Sequence, residues 1–221
     1  MQRPADRGAG TLMAQLGDTI RLVELICARL CHDLGGLIGT VGNALDMVAE
    51  DAGRDNEVLA FASSAANALT QRLRLMRTAW GPEIEALQLP ALARLVTPAL
   101  AARRISLDAR AMASDCEFPP AVGRVVLNLI VLACDCLPRG GTIVLIGEPT
   151  DLLVRIEGPG AAWPPGFADC IRDEAAALAA LTGARSVQMP LTALFALSRK
   201  LRLSLVLGSA SGIQAVRLGA G

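Results

Sequence analysis

Cys31-His32-Asp33-Leu34-Gly35-Gly36 sits inside a stretch whose apolar residues recur at helical spacing from about Leu12 to Glu50. Val23, Cys27, Leu30, Leu34, Leu37, Val41, Leu45 and Val48 follow steps of four and three, the signature of one buried face of a long helix. His32 is the only histidine in the chain. It lies two residues from both Leu30 and Leu34, so at about 100° per residue it points roughly 200° away from that seam. Its neighbours at helical spacing are Ala28, Arg29, Gly35, Gly36, Gly39 and Asn43. Each glycine in a helix interior costs about 0.8–1 kcal/mol against alanine, so helix stability gives no reason to keep three of them. Close approach of another surface does, because glycine removes the side chain that would block it. The pattern predicts an exposed imidazole on a cleared helix face, open to a partner protein. The plainer reading of the same residues is a solvated histidine and glycines that serve helix packing.

Outward from this helix, a polar turn at Asp51-Ala52-Gly53-Arg54-Asp55-Asn56 ends the pattern. A second helix is predicted from Glu57 to Ala79, with a seam of Leu59, Ala62, Ala66, Leu69, Leu73, Met76 and Trp80, and Gly81-Pro82 ends it. Two long helices joined by a short turn make an antiparallel hairpin. Leu22, Leu25, Ile26, Ile38, Phe61 and Leu75 fall off the counted seams and widen the apolar face. Two such hairpins side by side would cover it as a four-helix bundle, which predicts a homodimer. Packing of the hairpin on the rest of its own chain is the alternative.

Beyond Pro82 the spacing changes. Leu89–Ala102, with Pro90 in its first turn, reads as a helix. Arg104–Ala111 alternates as a strand, and Pro120–Leu137 is an apolar helix stopped by Pro138-Arg139-Gly140-Gly141, a turn. Thr142–Gly147 and Leu152–Glu157 form a predicted hairpin. Helices follow at Pro165–Leu181 and Pro190–Leu201, and Leu203–Leu207 pairs with Ile213–Leu218 across a Gly- and Ser-rich turn. This order predicts an α+β chain: a helical hairpin over 12–81, then an α/β sandwich with helices on one face of a mixed sheet over 82–221. Residues 1–11 are expected to be disordered.

The 221 residues are 52% hydrophobic and 19% charged with a formal net charge of zero, which fits a packed globular chain. No basic block suits a nucleic-acid partner. Six cysteines (Cys27, Cys31, Cys116, Cys134, Cys136 and Cys170) include no C-x-x-C pair, and one histidine cannot complete a zinc site. They are expected to be buried free thiols in a reducing cytosol, Cys31 included. The N-terminus lacks the apolar stretch of a signal peptide, and the run Val125–Cys134 is about half a bilayer span. A cytoplasmic protein without membrane contact is expected.

"LCHDLGGLIGTVGNALDMVAE" on the first helix of a hairpin, followed by "NLIVLACDCLPRGGTI" in an α/β unit, resembles a sensor histidine kinase core. Within that group the chain is most similar to the bacterial histidine phosphotransferases, which keep the kinase-like shape with a degenerate ATP-binding domain. The likeness spans about residues 14–219, and its departures matter. Four residues beyond Asn128, a kinase would carry a magnesium-binding asparagine; Leu132 stands there. The adenine-binding aspartate would fall at Ile156, with Glu157 out of register, and Ser186–Leu197 has no glycine-rich lid. ATP binding is therefore not expected, and this chain offers no site for a cofactor or metal. The resemblance implies a phosphorelay. His32 would take a phosphoryl group from the receiver domain of a hybrid histidine kinase and pass it to response-regulator receivers of the cell-cycle, CtrA-like type. Magnesium would belong to the receiver, and Asp33 would orient the imidazole. Arg29, Gly36, Gly39, Asn43, Ala68, Gln71 and Arg72 are the expected docking residues. An active sensor-type kinase and a non-enzymatic dimeric adaptor are the competing readings.

Overall fold

A computed structural model describes residues 4–50, 55–82, 85–208 and 213–220. Helix α1 (Pro4–Glu50) and helix α2 (Asp55–Trp80) form the hairpin. Residues 4–11, expected to be disordered, are the first turns of α1. Residues 1–3, the turn residues 51–54 and the side chain of Val48 lie outside the described residues.

The faces the two helices bury match the counted seams only in part, at Ala62 and Met76 of α2. Leu25, Arg29 and Ala44 of α1 are buried, as are Ala62, Ala65, Leu75, Met76 and Ala79 of α2. Val23, Leu45, Leu59 and Leu73 remain 44–55% exposed. The cause is tertiary. Leu25 packs with Leu181 and Val187, flanked by Leu22 and Ile26, and Leu75 joins the main core. Of the residues assigned to a second hairpin, these four are covered by the chain's own sandwich, while Ile38 and Phe61 stay exposed.

The sandwich follows. Strand β1 (Leu87–Gln88) pairs with β3 (Glu117–Phe118), a two-stranded piece too short for its pattern to be read. Helix α3 (Leu89–Ala101) leads to β2 (Ile105–Ala111). Helix α4 (Pro120–Asp135) carries proline at its first turn and is buried almost without interruption from Val125 to Cys134, so it is a central helix apolar all round. β4 (Gly141–Glu148) and β5 (Asp151–Glu157) form the expected hairpin. Gly140 and Gly141 at the preceding turn have φ of +80° and +147°, and a Cβ on either would run into the carbonyl of Arg104 or Glu157.

The single helix expected at Pro165–Leu181 is two, α5 (Phe167–Cys170) and α6 (Glu174–Ala179). The side chain of Asp173 accepts hydrogen bonds from the backbone N–H groups of Ala175 and Ala176 and so starts a new helix where the apolar pattern runs on. Helix α7 (Gln188–Ser198) ends earlier than predicted, because Lys200 turns into the left-handed region at φ +55° and Leu201 already pairs with Ala220. β6 (Leu201–Leu207) and β7 (Ile213–Ala220) complete a five-stranded mixed sheet of order β2-β4-β5-β7-β6, in which only β2 and β4 are parallel; their connecting residues 209–212 lie outside the described residues. Along β5, Leu152, Val154 and Ile156 are buried and their neighbours are not, so one face of the sheet packs against helices and the other is open.

Candidate functional site

Arg29 and Asp33 are one helical turn apart on α1, facing α2 and the sandwich. Their side chains are 6% and 8% exposed, so each needs an opposite charge close by. Asp33 Oδ2 accepts from Arg29 Nε at 3.0 Å and from Arg72 of α2 at 2.7 Å. Arg29 also donates to both oxygens of Asp135 at the end of α4, at 3.1 and 3.3 Å, and to the Arg185 carbonyl at 3.2 Å. Arg103, just past α3, donates to Asp135 at 2.8 Å. Five groups, from three helices and the turn after α3, thus alternate in sign, in the order Arg72, Asp33, Arg29, Asp135, Arg103. Burial alone would raise the Asp33 carboxyl, but the hydrogen bonds from Arg72 and Arg29 outweigh it and hold the group below the usual carboxylate range. Burial works against the Arg29 cation, and Asp135 and Asp33 more than reverse that.

His32 stands at the rim of this network with its side chain 63% exposed. Its Nδ1 lies 3.3 Å from Asp33 Oδ1, the oxygen that neither arginine uses. With the proton on Nδ1, the ring donates to the carboxylate and leaves the Nε2 lone pair unprotonated. Adjacent helix positions do not normally face each other. Here the Asp33 side chain is drawn inward by two guanidiniums, and one oxygen is left turned back toward the ring.

A cleft of about 320 Å³ opens beside the imidazole, lined by His32, Asp33, Leu37, Ala68, Gln71 and Arg72 of the hairpin and by Pro98, Ala99, Ala102 and Arg103 of the sandwich. Gly36, Gly39, Asn43, Ala68 and Gln71 are exposed, and nothing lies within 4 Å of where a Cβ on Gly36 or Gly39 would stand. Arg29 is a correction. It is 5% exposed and its three nitrogens are committed within the chain, so it is not a surface contact for a partner. Arg72 lines the cleft but is spent on Asp33. Cys31 and Cys27 are also corrections, because both are exposed, while Cys116, Cys134, Cys136 and Cys170 are buried as expected. Asp135, Arg103 and the α3 contribution to the cleft escaped the sequence reading. The available signal was an acid closing an otherwise apolar helix, which must find a counter-charge once that helix is buried.

The residues that would hold a nucleotide in a kinase do not fit one here. Asn128 is fully buried; its amide nitrogen donates to the carbonyls of Ala79 and Arg124, at 2.8 and 2.9 Å, and its oxygen accepts from Gln188 at 2.9 Å. Leu132 is 2% exposed in the core, and Ile156 is buried in β5. Glu157 is paired with Arg155. Among the described residues no group of three or more His, Cys, Asp or Glu gathers as for a metal ion, and no helix is long and apolar enough to cross a membrane.

The site thus joins a helical hairpin with an exposed histidine to a sandwich whose kinase-like nucleotide positions are buried or paired. Residues 89–211 match the histidine phosphotransferase C-terminal domain, and the chain belongs to that family. It is 26% identical over 151 residues to protein phosphotransferase ChpT of Brucella abortus (strain 2308), an alignment covering 66% of this chain and 72% of that protein. The solved structure of a bacterial phosphotransferase superposes with a TM-score of 0.66 at 21% identity, over 90% of this chain and 95% of the other. The family match covers the sandwich; His32 lies outside it.

Proposed function

We propose that this chain is a histidine phosphotransferase of a multistep phosphorelay, with His32 carrying the phosphoryl group between aspartates of receiver domains. The observation that carries this reading is an exposed imidazole whose Nδ1 meets the free oxygen of a buried, arginine-held carboxylate. In the first half-reaction the Nε2 lone pair attacks the phosphorus of a receiver's phospho-aspartate in line. The bond from phosphorus to the carboxylate oxygen breaks, and the receiver's aspartate leaves ionised. The phosphohistidine ring is then cationic, still donating from Nδ1 to Asp33, whose negative charge stabilises it. The second receiver's aspartate reverses these steps. Such transfer is mostly positioning and charge compensation, with magnesium on the receiver. The cleft and the cleared face at Gly36 and Gly39, with Asn43, Ala68 and Gln71 at its rim, serve as the docking surface. ATP takes no part, because the asparagine and acid positions it would need are occupied or buried.

We also assign a homodimer. Among the described residues, every large apolar side chain that remains exposed lies on α1 or α2, except Val206 and Leu207. A continuous apolar stripe of this kind calls for a partner, and a second hairpin related by twofold symmetry covers it. The hybrid-kinase donor and the CtrA-like, cell-cycle acceptors implied by the sequence resemblance remain part of this proposal; the likeness to protein phosphotransferase ChpT supports a phosphotransfer role.

Incubation with a receiver domain carrying labelled phosphate tests the reading. Wild-type protein is expected to gain acid-labile label, His32→Ala none, and labelled ATP alone is expected to leave the chain unlabelled. Label retained by the alanine variant overturns the site, and labelling from ATP restores the kinase reading.

A further inference from the structure

We propose that Asp135, on the sandwich, is a positioning residue for the His32 ring: through Arg29 it holds Asp33 so that the imidazole keeps its proton on Nδ1 and Nε2 stays free to attack. The inference deepens the phosphotransfer reading and rests on His32 as the acceptor. Asp33 has two oxygens, and their uses are divided. Oδ2 takes Arg29 and Arg72, leaving Oδ1 turned to the ring at 3.3 Å. Two guanidiniums keep that division, Arg72 at 2.7 Å and Arg29 at 3.0 Å, and the sandwich positions the second, Arg29. Its Nε serves Asp33, and its remaining nitrogens are anchored by Asp135 at 3.1 Å and the Arg185 carbonyl at 3.2 Å. Asp135 is in turn oriented by Arg103 at 2.8 Å. Asp135 makes no contact with the ring, so its influence on His32 runs through Arg29 and Asp33.

Asn in place of Asp135 has the same shape, but it removes the negative charge and sets an amide N–H₂ against guanidinium donors. Arg29 then loses its charged anchor and keeps only the Arg185 carbonyl, and Asp33, left chiefly to Arg72, is oriented less firmly. An imidazole without such a partner favours the Nε2–H form, which has no lone pair at the attacking nitrogen. Partners that fix the tautomer of a metal-bound histidine change activity by about 10- to 100-fold when removed, and a loss at the lower end of that range is expected here.

The solitary histidine makes the test direct. In protein labelled with ¹⁵N-histidine, one imidazole reports its own tautomer by nitrogen chemical shift. The wild type is expected to be mainly Nδ1–H. Asp33→Asn and Asp135→Asn both shift it toward Nε2–H, and the double variant goes no further than Asp33→Asn alone. Single-turnover transfer at saturating receiver falls about 10-fold in Asp135→Asn, while the receiver concentration giving half-maximal rate is unchanged. A wild-type tautomer ratio in Asp135→Asn overturns the proposal, as does a second, additive loss on the Asp33→Asn background. Should Asp135→Asn fail to fold, Arg103→Gln loosens the same carboxylate from a side chain that is 42% exposed. It is expected to shift the ratio in the same direction, and an unchanged ratio overturns the proposal equally. The tautomer is read with no receiver present, so a wild type that never accepts phosphate sinks the phosphotransfer reading without deciding this one.

Discussion

Asp33 serves two environments at once. One oxygen is buried between guanidiniums, and the other faces a half-solvated ring. A carboxyl with a depressed pKa stabilises the folded state at pH above its unfolded value of about 4, and that contribution is lost as pH falls through the lower folded value. Acid titration of the fold should therefore show wild-type protein losing stability steeply below about pH 4, and Asp33→Asn, already weaker at pH 7, losing less over the same interval. Parallel acid curves for the two would mean that Asp33 is not held ionised by its arginines. The cysteines divide by the same physics. Burial pushes the Cys134 thiol up to about 11 and the Cys136 thiol up to about 12, which keeps both protonated and inert at neutral pH.

At the scale of elements, the hairpin has two faces with different work. One face packs on the sandwich. The carbonyls of Ala79 and Trp80, which end α2 without helical partners, accept from Asn128 and Arg124 of α4. The Arg124 guanidinium also lies 4.0 Å over the Phe195 ring. Arg21 of α1 donates to the carbonyls of Leu181 and Thr182. The other face is thinned by glycine. Because a Cβ at Gly36 meets nothing within 4 Å, Gly36→Ala should raise stability by about 1 kcal/mol, which is what glycine costs against alanine in an exposed helix interior. Gly36→Leu should keep the fold and slow transfer from a phosphorylated receiver by at least about 10-fold, since a docking partner must then clear a bulky side chain. Thermal denaturation and transfer rates check the two halves separately. Unchanged transfer in the leucine variant would move the docking surface elsewhere.

The whole molecule joins a helical hairpin to a sandwich packed against it. The contacts from α4 and from the 178–187 segment meet the hairpin at its open end, at Ala79 and Trp80 of α2 and at Arg21 and Leu25 of α1, and the cleft beside His32 is lined by both parts. What remains uncovered is the stripe of Leu16, Ile20, Val23, Ile38 and Leu45 on α1 with Leu59, Phe61 and Leu73 on α2. Val23→Asp combined with Leu45→Glu should convert the assigned dimer to a monomer of unchanged secondary structure, measured by light scattering and circular dichroism. A wild type that is monomeric at tens of micromolar would show that the stripe has another use.

The hairpin, the exposure of His32, the cleared glycine face and, apart from the short β1–β3 pair and the division of α5 from α6, the order of strands and helices in the sandwich were legible in the chain itself, because each follows from local periodicity, turn residues or a missing side chain. The split at Asp173 was also local, but its capping role competed with an apolar pattern that ran straight through it. The rotation of the buried faces was not legible. Apolar residues alone cannot say which of two stripes meets the sandwich and which the sandwich leaves uncovered. Nor could spacing show that Arg29 is interior, since its partner Asp135 lies 106 residues away on an element that packing alone brings to it. Long-range ion pairs carry no periodic signature, and here they determine how the one histidine is held.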